Sequence, residues 1–431
     1  MAKLQIKSDN ITPYGSIFYI FDQFDRYLSP LIDKKLGIRS RSVGYQYSEI
    51  FRAIFGIFFC GGSCIEDLNS YLIEDFKQRP STNVPSPDTV LRGISELATD
   101  NITYTSKRGK EYDVNTADKL NELLIDMLVA LGQIKPGDTM DFDFDHEFLE
   151  AGKYDAFWTY KGFNGYSPAL AMLGDYIIGV ENRDGNVPVT FMQEETLERF
   201  FLRIIAAGIK IGRARMDCGS YTRKVIEMCL KHCNTFYIRA EHCQSITDLV
   251  NNPLRDDWKQ VEINYEKYEV HSFPFLNFEG IDHLRLVVQR KPKKQADLFN
   301  GGYDYRCILT NDWEMEDEEI IEYYNQRGAK ERTFDQMDND FGWKHLPKSF
   351  MNENAVFLLI TAMCCNFYKY IVAQDFMSEH FGIKKNARMK QFVFRFICVP
   401  AKWVVRARQN VLVLYTRKPY EKIWKATTAT G

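Results

Sequence analysis

The sequence has no CxxC pair among its ten cysteines, although that spacing is the usual half of a structural zinc site. Its closest cysteines are four residues apart or adjacent, and its only His/Cys cluster consists of His232–Cys233 and His242–Cys243. These spacings argue against both a zinc site and a disulfide framework. We expect the cysteines to be small core residues of a protein in a reducing compartment.

Long apolar runs are also missing. No window approaches the roughly 18 uninterrupted apolar residues of a membrane span, and the best candidates, Ala53–Cys60 and Ala355–Cys365, are short and predict buried helices. The N-terminal stretch MAKLQIKSDN lacks the apolar core of a signal peptide. We therefore expect a cytoplasmic protein with no membrane partner.

The composition is that of a globular protein with clustered basic residues. The chain has 431 residues, 45% of them hydrophobic, which is enough for large cores in two or three domains. The formal net charge is −3, yet twelve Lys/Arg and a single acid, Glu421, lie between Lys384 and Lys425. A second basic run consists of Arg285, Arg290, Lys291, Lys293 and Lys294. This segregation indicates a protein that is acidic at one site and basic along a surface.

The most unusual stretch is MDFDFDHEFLE, residues 140–150. Asp141, Asp143 and Asp145 alternate with Phe142 and Phe144, and strict alternation predicts a strand with the two residue types on opposite faces. One interpretation is a solvated edge strand. The other is a strand that delivers a carboxylate to a divalent metal ion.

The N-terminal hundred residues predict helices. Ser86, Pro87 and Asp88 supply an N-cap, a first-turn proline and a first-turn acid for a helix that reaches Leu97 and carries Arg92. This pattern is compatible with helix-turn-helix-like DNA binding and equally with a plain helical bundle.

Between residues 140 and 240 the predicted order is β-β-β-α-β-α-β, with the third strand at Val187–Met192. That order is typical of an RNase H-like mixed sheet flanked by helices. We predict a helical N-terminal domain for DNA binding or dimerisation, an RNase H-like catalytic core in two segments, a β-rich insertion, and a helical, basic C-terminal region. Their bounds are 1–112, 113–241 with 312–347, 242–311 and 348–431.

Three acids stand out by position. Asp145 lies on the first core strand, Asp217 at the end of the fourth, and Glu331 in a helix predicted over Glu316–Phe341. In an RNase H-like sheet these strands are neighbours, so Asp145 and Asp217 converge and the later helix can add Glu331. Clustered carboxylates repel one another unless cations bind, and oxygen ligands suit Mg²⁺ or Mn²⁺. Two such ions support phosphodiester displacement.

Ordinary structural roles compete with this hypothesis. Asp217 suits a turn before Ser220, and Glu331 suits an ion pair with Arg327 four residues earlier. However, Tyr324, Arg327 and Glu331 occupy i, i+3 and i+7, which is one face of the predicted helix. That combination favours a metal-bound phosphate over a solvated face.

These motifs resemble those of bacterial insertion-sequence transposases of the DDE class. Tyr324–Glu331 matches the Y-xx-R-xxx-E signature, RMDCGSY (Arg215–Tyr221) is similar to the second-aspartate motif, and DFDHEF (Asp143–Phe148) is similar to the first-aspartate strand. The stretches TYKGFNGYSP, VENRDGN, FYIRAEHC and FGWKHLP point to the insertion sequence 1380 group. The resemblance covers about residues 136–347 closely and the flanks more loosely.

The resemblance implies a cut-and-paste DNA transposase, bacterial and nucleoid-associated when bound to DNA. Asp145, Asp217 and Glu331 would be the catalytic acids that hold two Mg²⁺ or Mn²⁺ ions, with Asp143 as the nearest alternative to Asp145 or a supporting partner. The partners would be double-stranded DNA, as terminal inverted repeats and target, and a second copy of the chain in a synaptic homodimer. The alternatives are an inactive DNA-binding derivative and an RNase H-like endonuclease.

The same resemblance assigns DNA contacts. Tyr324 and Arg327 would bind phosphates beside the scissile bond, and the basic insertion run would follow the DNA backbone through Arg290, Lys291, Lys293 and Lys294. The N-terminal helices are candidates for terminal-repeat recognition. Trp258, or another aromatic residue of the insertion, is the candidate for stacking on a flipped base if cleavage passes through a hairpin. One position departs from the pattern, because Asp338 stands where the family has a lysine. The candidate substitutes for that lysine are Lys330, Lys344 and Lys348.

Overall fold

The computed structural model describes residues 3–6, 9–39, 44–252, 257–297 and 301–428; at 294–297, 301, 329–330 and 425–428 it describes the backbone alone. The described helices are α1 (Ile17–Tyr27), α2 (Ser29–Leu36), α3 (Tyr47–Phe59), α4 (Ile73–Lys77), α5 (Pro87–Leu97), α6 (Asp118–Ala130), α7 (Gln193–Ala206), α8 (Arg223–His232), α9 (Gln244–Val250), α10 (Asp317–Asn325), α11 (Glu331–Asp340), α12 (Met351–Val372), α13 (Asp375–Phe381), α14 (Met389–Phe392) and α15 (Tyr420–Thr428).

The described strands are β1 (Ile102–Thr105), β2 (Glu111–Asn115), β3 (Thr139–His146), β4 (Leu149–Glu150), β5 (Phe157–Trp158), β6 (Asn164–Tyr166), β7 (Ala169–Leu173), β8 (Tyr176–Arg183), β9 (Lys210–Met216), β10 (Cys233–Arg239), β11 (Lys259–Ile263), β12 (Glu266–Pro274), β13 (Arg285–Asp297), β14 (Gly301–Thr310), β15 (Ala401–Arg406) and β16 (Gln409–Leu414). Short 3₁₀ turns lie at Cys218–Ser220 and Gln326–Lys330, and π-helical turns at Leu68–Leu72 and Val393–Ile397.

An eleven-stranded mixed sheet forms the centre of the fold, in the order β1-β2-β8-β7-β3-β9-β10-β14-β13-β12-β11. β3 runs parallel to β9, and β9 parallel to β10, whereas β7 and β8 join the other side of β3 as antiparallel neighbours. The prediction of a mixed sheet flanked by helices is confirmed. The first and fourth predicted core strands, β3 and β9, are adjacent and parallel, so their C-terminal ends lie next to each other.

The phenylalanines of β3 face the helical layer beside it. Phe142 and Phe144 are fully buried, and Phe142 packs edge-on against Phe201 of α7 with ring centres 4.9 Å apart. The alternation in the acidic stretch therefore produces the predicted strand. The phenylalanines form a buried apolar face of the strand, and the aspartates lie on the opposite face.

A second core joins the two ends of the chain. Phe24 of α1 and Phe55 of α3 both pack against Phe367 of α12, at ring-centre distances of 6.2 and 5.9 Å. By length and composition α12 is apolar enough to cross a membrane, but 89% of its most apolar stretch is buried in the protein. The N-terminal helices and the C-terminal region, which the sequence divides into separate domains, thus share one hydrophobic core.

Several predicted elements differ from the structure. Val187–Met192 is a turn before α7 and not a strand, because Pro188 has no N–H to donate to a sheet and the Pro188 carbonyl instead accepts a bond from Phe191 N (2.9 Å). The region 1–112, expected to be helical, also contains β1 and the start of β2, which pair as a hairpin at the edge of the sheet. The C-terminal region, expected to be helical, contains the hairpin β15–β16, whose turn residues Ala407 and Arg408 both have positive φ.

The β-rich insertion is present, and it continues the central sheet. β14 pairs antiparallel with β10, and β13, β12 and β11 follow outward from it. The insertion therefore shares its hydrogen bonds with the core strands that precede it in the chain.

Candidate active site

Two of the three aspartates on β3 are paired with arginines of β9. Asp141 accepts from Arg213 Nε at 3.1 Å and from Arg213 Nη2 at 2.7 Å. Asp143 accepts from Arg215 Nε at 2.8 Å and from Arg215 Nη2 at 2.9 Å. Because β3 and β9 are adjacent and parallel, each aspartate lies beside the arginine that neutralises it. The charge repulsion expected of a row of aspartates is thereby removed.

Asp143 is the more deeply buried of these two acids, at 4% exposure. Its partner Arg215 also donates from Nη1 to the Tyr323 carbonyl oxygen at 2.8 Å, which links the sheet to the end of α10. Both Asp143 oxygens are used by the guanidinium. This acid, the sequence-based alternative to Asp145, therefore has a structural partner in place of an open position.

Asp145 lies at the end of β3 and faces a different cation. Arg327 Nη1 donates to Asp145 Oδ2 at 2.5 Å, and the Asp145 side chain keeps 24% exposure. Burial raises the pKa of Asp145 above its ordinary value, and the nearby Glu331 adds to the increase, while Arg327 opposes it. Asp145 is thus a partly desolvated carboxylate that needs a positive partner.

Asp217 follows directly after β9. Its Oδ1 accepts from Gly219 N at 3.0 Å, so it caps the short 3₁₀ turn Cys218–Ser220. Burial raises the pKa of Asp217, and the charge of Asp145 is the next largest cause. The turn role expected from the sequence and the proximity to Asp145 are therefore both present.

The helix predicted over Glu316–Phe341 is interrupted. α10 ends at Asn325, a 3₁₀ turn covers Gln326–Lys330, and α11 begins at Glu331. The prediction that Tyr324, Arg327 and Glu331 share one face of a continuous helix is therefore wrong. Gly328, in the middle of this turn, weakens a helix at that point. Tyr324 still reaches the site, because its hydroxyl donates to the Met216 carbonyl oxygen at 3.1 Å.

All three candidate acids nevertheless line one cleft of about 440 Å³. The lining residues are Asp145, His146, Glu147, Phe148, Tyr160, Lys161, Phe163, Val189, Asp217, Glu331 and Phe334. Glu331 is an exposed residue at the first position of α11. The fold brings together residues separated by 331 − 145 = 186 positions in the chain.

The donor set of this cleft suits a hard divalent cation. Its acids are oxygen ligands, and two of the three candidate acids have raised pKa values. Burial is the main cause for both; the charge of Glu331 adds to the increase at Asp145, and the charge of Asp145 adds to it at Asp217. Among the described residues, no three acidic, histidine or cysteine side chains are close enough to enclose an ion as they stand. Such a site fits Mg²⁺, which usually takes one or two protein carboxylates and completes its shell with waters and phosphate oxygens.

A fourth carboxylate in the cleft, Glu147, was not among the predicted site residues. Its pKa is raised from 4.5 to about 7, first by burial and next by the charge of Asp338. Asp338 is the residue at the family's lysine position, and its Oδ1 is buried with no hydrogen-bond partner among the described residues. The sequence signal for Glu147 was its position two residues after Asp145, in phase with the acidic face.

The candidate lysines near Asp338 have other contacts. Lys344 Nζ lies 4.0 Å from Asp338 Oδ2 and donates to Asn339 Oδ1 at 2.9 Å. Lys348 Nζ pairs with Glu353 at 3.1 Å. The side chain of Lys330 lies outside the described residues. Which lysine contacts DNA stays a prediction.

The basic insertion run divides into different environments. Arg290 is 6% exposed, with its guanidinium 3.6 Å from the Trp258 ring centre and 4.0 Å from that of Tyr303. It also donates to Glu269 Oε2 at 2.7 Å. Arg290 therefore holds the insertion together, and Trp258, proposed to stack on a base, is covered by this arginine.

The lysines that follow Arg290 differ from it in their exposure. Lys291 is partly exposed and pairs with Glu266 at 2.9 Å. Lys293 is half-buried, and the side chain of Lys294 lies outside the described residues. Contact of these lysines with DNA stays a prediction.

Comparison with known proteins gives a family match and a structural match. Residues 26–430 match the protein family described as Transposase DDE domain group 1. The fold is similar to the cryo-EM structure of a piggyBac transposase synaptic complex with hairpin DNA, with a TM-score of 0.43 and 13% sequence identity over 89% of this chain and 79% of that chain. A search of curated proteins gives no match.

Proposed function

The chain belongs to the Transposase DDE domain group 1 family, and from that premise we propose that it cuts DNA at the ends of an insertion sequence and joins the freed 3′-hydroxyls to target DNA. The observation that carries this proposal is the single cleft lined by Asp145, Asp217 and Glu331. The insertion sequence 1380 group is the subgroup that the quoted motifs favour. The strand order β8-β7-β3-β9-β10 supports an RNase H-like core.

Asp145 and Asp217 are the residues that would hold the divalent ions, with Glu331 as the third ligand. Two bound Mg²⁺ or Mn²⁺ ions would supply charge neutralisation and activation of oxygen at a phosphodiester. The chain itself keeps Asp145 and Asp217 close at the ends of two parallel strands. Their burial makes the pair unfavourable without a cation, and this favours binding of positive charge at that position.

Arg327 is the residue that would contact the scissile phosphate. Its guanidinium is held by Asp145, and its side chain is 21% exposed. A guanidinium presents several N–H donors in a plane that matches phosphate oxygens. Tyr324, anchored on Met216, would support this position from the side of α10. Positioning and electrostatic stabilisation are the main contributions that a protein makes to phosphoryl transfer.

The partners that follow are double-stranded DNA, as terminal repeats and as target, and a second copy of the chain that holds the other element end. The N-terminal helices remain our candidate for repeat recognition. A bacterial cytoplasmic, nucleoid-associated location belongs to the same proposal.

A strand-transfer assay tests the proposal. Purified protein is incubated with linear DNA that carries the element's terminal repeats, a supercoiled target plasmid, and Mg²⁺, Mn²⁺ or chelator. We expect 3′-end cleavage and joined products only with metal, and neither with Asp217→Ala. Cleavage without joining assigns an endonuclease in place of a transposase. Cleavage that persists in chelator would overturn the metal-dependent mechanism.

A further inference from the structure

An exposed aromatic ring, that of Tyr160, lines the candidate cleft, and a second, that of Trp158, lies two residues before it in the chain. Trp158 is 64% exposed and Tyr160 is 74% exposed, although large aromatic side chains are usually covered in a folded protein. Lys161 follows them and is also exposed. We call Trp158, Tyr160 and Lys161 the aromatic tip. Exposed aromatic rings beside a candidate site indicate a binding surface.

Hydrogen bonds hold the turn that carries the aromatic tip. The tip lies on β5 and on the tight turn to β6, which is closed by Thr159 N and Thr159 Oγ1 donating to the Phe163 carbonyl oxygen at 2.8 and 2.9 Å. The buried Tyr166 of β6 donates its hydroxyl to Asp155, and Asp155 Oδ2 accepts from Met351 N at 2.8 Å. This chain of contacts ties the turn to the start of α12. The rings are therefore presented to solvent by a supported loop.

The aromatic tip is continuous with the acidic cleft. Tyr160 and Lys161 line the same cavity as Asp145 and Asp217, and Trp158 lies two residues before Tyr160, outside the cavity lining. The Tyr160 ring packs edge-on against Phe148, another cleft residue, with ring centres 4.7 Å apart. Lys161 Nζ lies 5.2 Å from the centre of the Tyr160 ring. A ligand that occupies the cleft therefore meets aromatic rings and a positive charge at its edge.

We propose that the aromatic tip binds unpaired DNA, with Tyr160 and Trp158 stacking on bases and Lys161 contacting the adjoining phosphate. This inference rests on the proposed function, because that function places a DNA strand in the cleft. Aromatic rings beside a positive charge are the usual platform for single-stranded nucleic acid, and every base offers a face for stacking. Bases within a duplex have both faces covered, so the ligand is a frayed, gapped or extruded stretch next to the cleavage point.

In this proposal Trp158 and Tyr160 stack on the unpaired base, the role predicted from the sequence for Trp258. Arg290 covers the Trp258 ring at 3.6 Å, so stacking there requires the guanidinium to leave. Trp158 and Tyr160 are 64% and 74% exposed, and Lys161 Nζ lies 5.2 Å from the Tyr160 ring centre, farther than Arg290 lies from that of Trp258. Tyr160 also lines the cleft, and Trp158 lies two residues before it, whereas Trp258 lies at the start of the insertion.

The test measures binding of the full chain to labelled DNA by fluorescence anisotropy, in chelator so that no cleavage occurs. The probes are an oligothymidine of about 20 nucleotides, longer than one typical single-strand site, a fully paired duplex of the same length, and that duplex with a short central gap. The measured quantity is the ratio of duplex to gapped-duplex Kd. Trp158→Ala and Tyr160→Ala are each expected to lower this ratio by about tenfold, the order expected for loss of one stacked base.

Two matched variants complete the design. Tyr160→Phe keeps the ring and is expected to keep the ratio. Tyr265→Ala removes a tyrosine that is 98% exposed in the insertion, and is expected to leave the ratio unchanged. Circular dichroism melting checks that each variant is folded, since a folded variant with a lowered ratio reports on stacking alone.

Three results would overturn the proposal. The first is a wild-type protein that binds gapped and paired DNA equally. The second is a ratio that folded Trp158→Ala and Tyr160→Ala both leave unchanged. The third is a change in self-association of these variants with unchanged DNA binding, which assigns the aromatic tip to a protein interface. None of these depends on cleavage, so failure of the transposase proposal shows separately as absence of metal-dependent cleavage by the wild type.

Discussion

Arg215 on β9 donates hydrogen bonds from Nε and Nη2 to the two carboxylate oxygens of Asp143 on β3, at 2.8 and 2.9 Å. The pair is almost fully buried, with side-chain exposures of 6% and 5%. Removing one partner of a buried ion pair leaves the other charge uncompensated and typically costs about 3–5 kcal/mol.

Asp143→Asn is accordingly expected to lower the melting temperature. The rate of DNA cleavage by the folded fraction is expected to fall less than about 100-fold, as for residues that orient metal-binding side chains without binding the metal themselves. Asp141→Asn is the matched control on the same strand. Its pair with Arg213 is partly exposed, so its loss costs about 0–1 kcal/mol. Equal melting temperatures for the two variants would contradict the burial argument.

Arg327 competes with any other cation for Asp145. Arg327→Ala is expected to tighten Mn²⁺ binding in the absence of DNA, because Asp145 loses its competing guanidinium partner. The expected increase in affinity is about tenfold, which corresponds to about 1.4 kcal/mol. The same variant is expected to cleave DNA more slowly, because the phosphate loses its guanidinium partner. Isothermal titration calorimetry gives the Mn²⁺ affinity, with Arg327→Lys as the variant that keeps the charge. A weakened Mn²⁺ affinity in Arg327→Ala would show that the arginine supports the metal site directly.

Glu147 makes folding stability depend on pH. Its pKa is raised from 4.5 to about 7, so the folded chain binds this proton more tightly than the unfolded chain does. Ionisation above about pH 7 therefore costs stability, and this cost disappears as the pH falls from about 7 towards 4.5.

In chelator, Glu147→Gln is expected to raise the melting temperature at about pH 8 and to change it much less at about pH 5. Glu150→Gln, at an exposed position on β4, serves as the control. If Glu147→Gln changed the melting temperature equally at both pH values, ionisation of Glu147 would not be the cause of the pH dependence.

The basic insertion run contains two buried arginines, Arg285 and Arg290, and at least one surface lysine, Lys291. Arg290→Ala is expected to lower the melting temperature, because it removes the guanidinium between Trp258 and Tyr303. It is expected to leave the salt dependence of DNA binding unchanged. Lys291→Ala is expected to reduce the slope of log Kd against log salt by about 0.9, the value for one lost phosphate contact, without changing stability. The opposite assignment of these two effects would show that the buried arginine turns outward to DNA.

Local alternation and turn residues predicted most strands of the core, with Val187–Met192 as the exception, and the meeting of Asp145 and Asp217 in one cleft followed from the order of strands. The pairing of Asp143 with Arg215 could not be predicted, because the register between β3 and β9 depends on packing across the sheet. The break at Gln326–Lys330 was also missed, since helical spacing continues through it. Burial of Arg290 depends on two rings that come from different parts of the insertion.

The three-acid assignment is tested most directly by the rate of Mg²⁺-dependent 3′-end cleavage in isosteric variants of each acid. Asp145→Asn, Asp217→Asn and Glu331→Gln are each expected to reduce this rate by more than about 1,000-fold, as for members of one catalytic unit. Asp141→Asn, on the same strand as Asp145, is expected to stay within about tenfold of the wild type. A folded Asp145→Asn, Asp217→Asn or Glu331→Gln protein that cleaves at close to the wild-type rate would contradict the account.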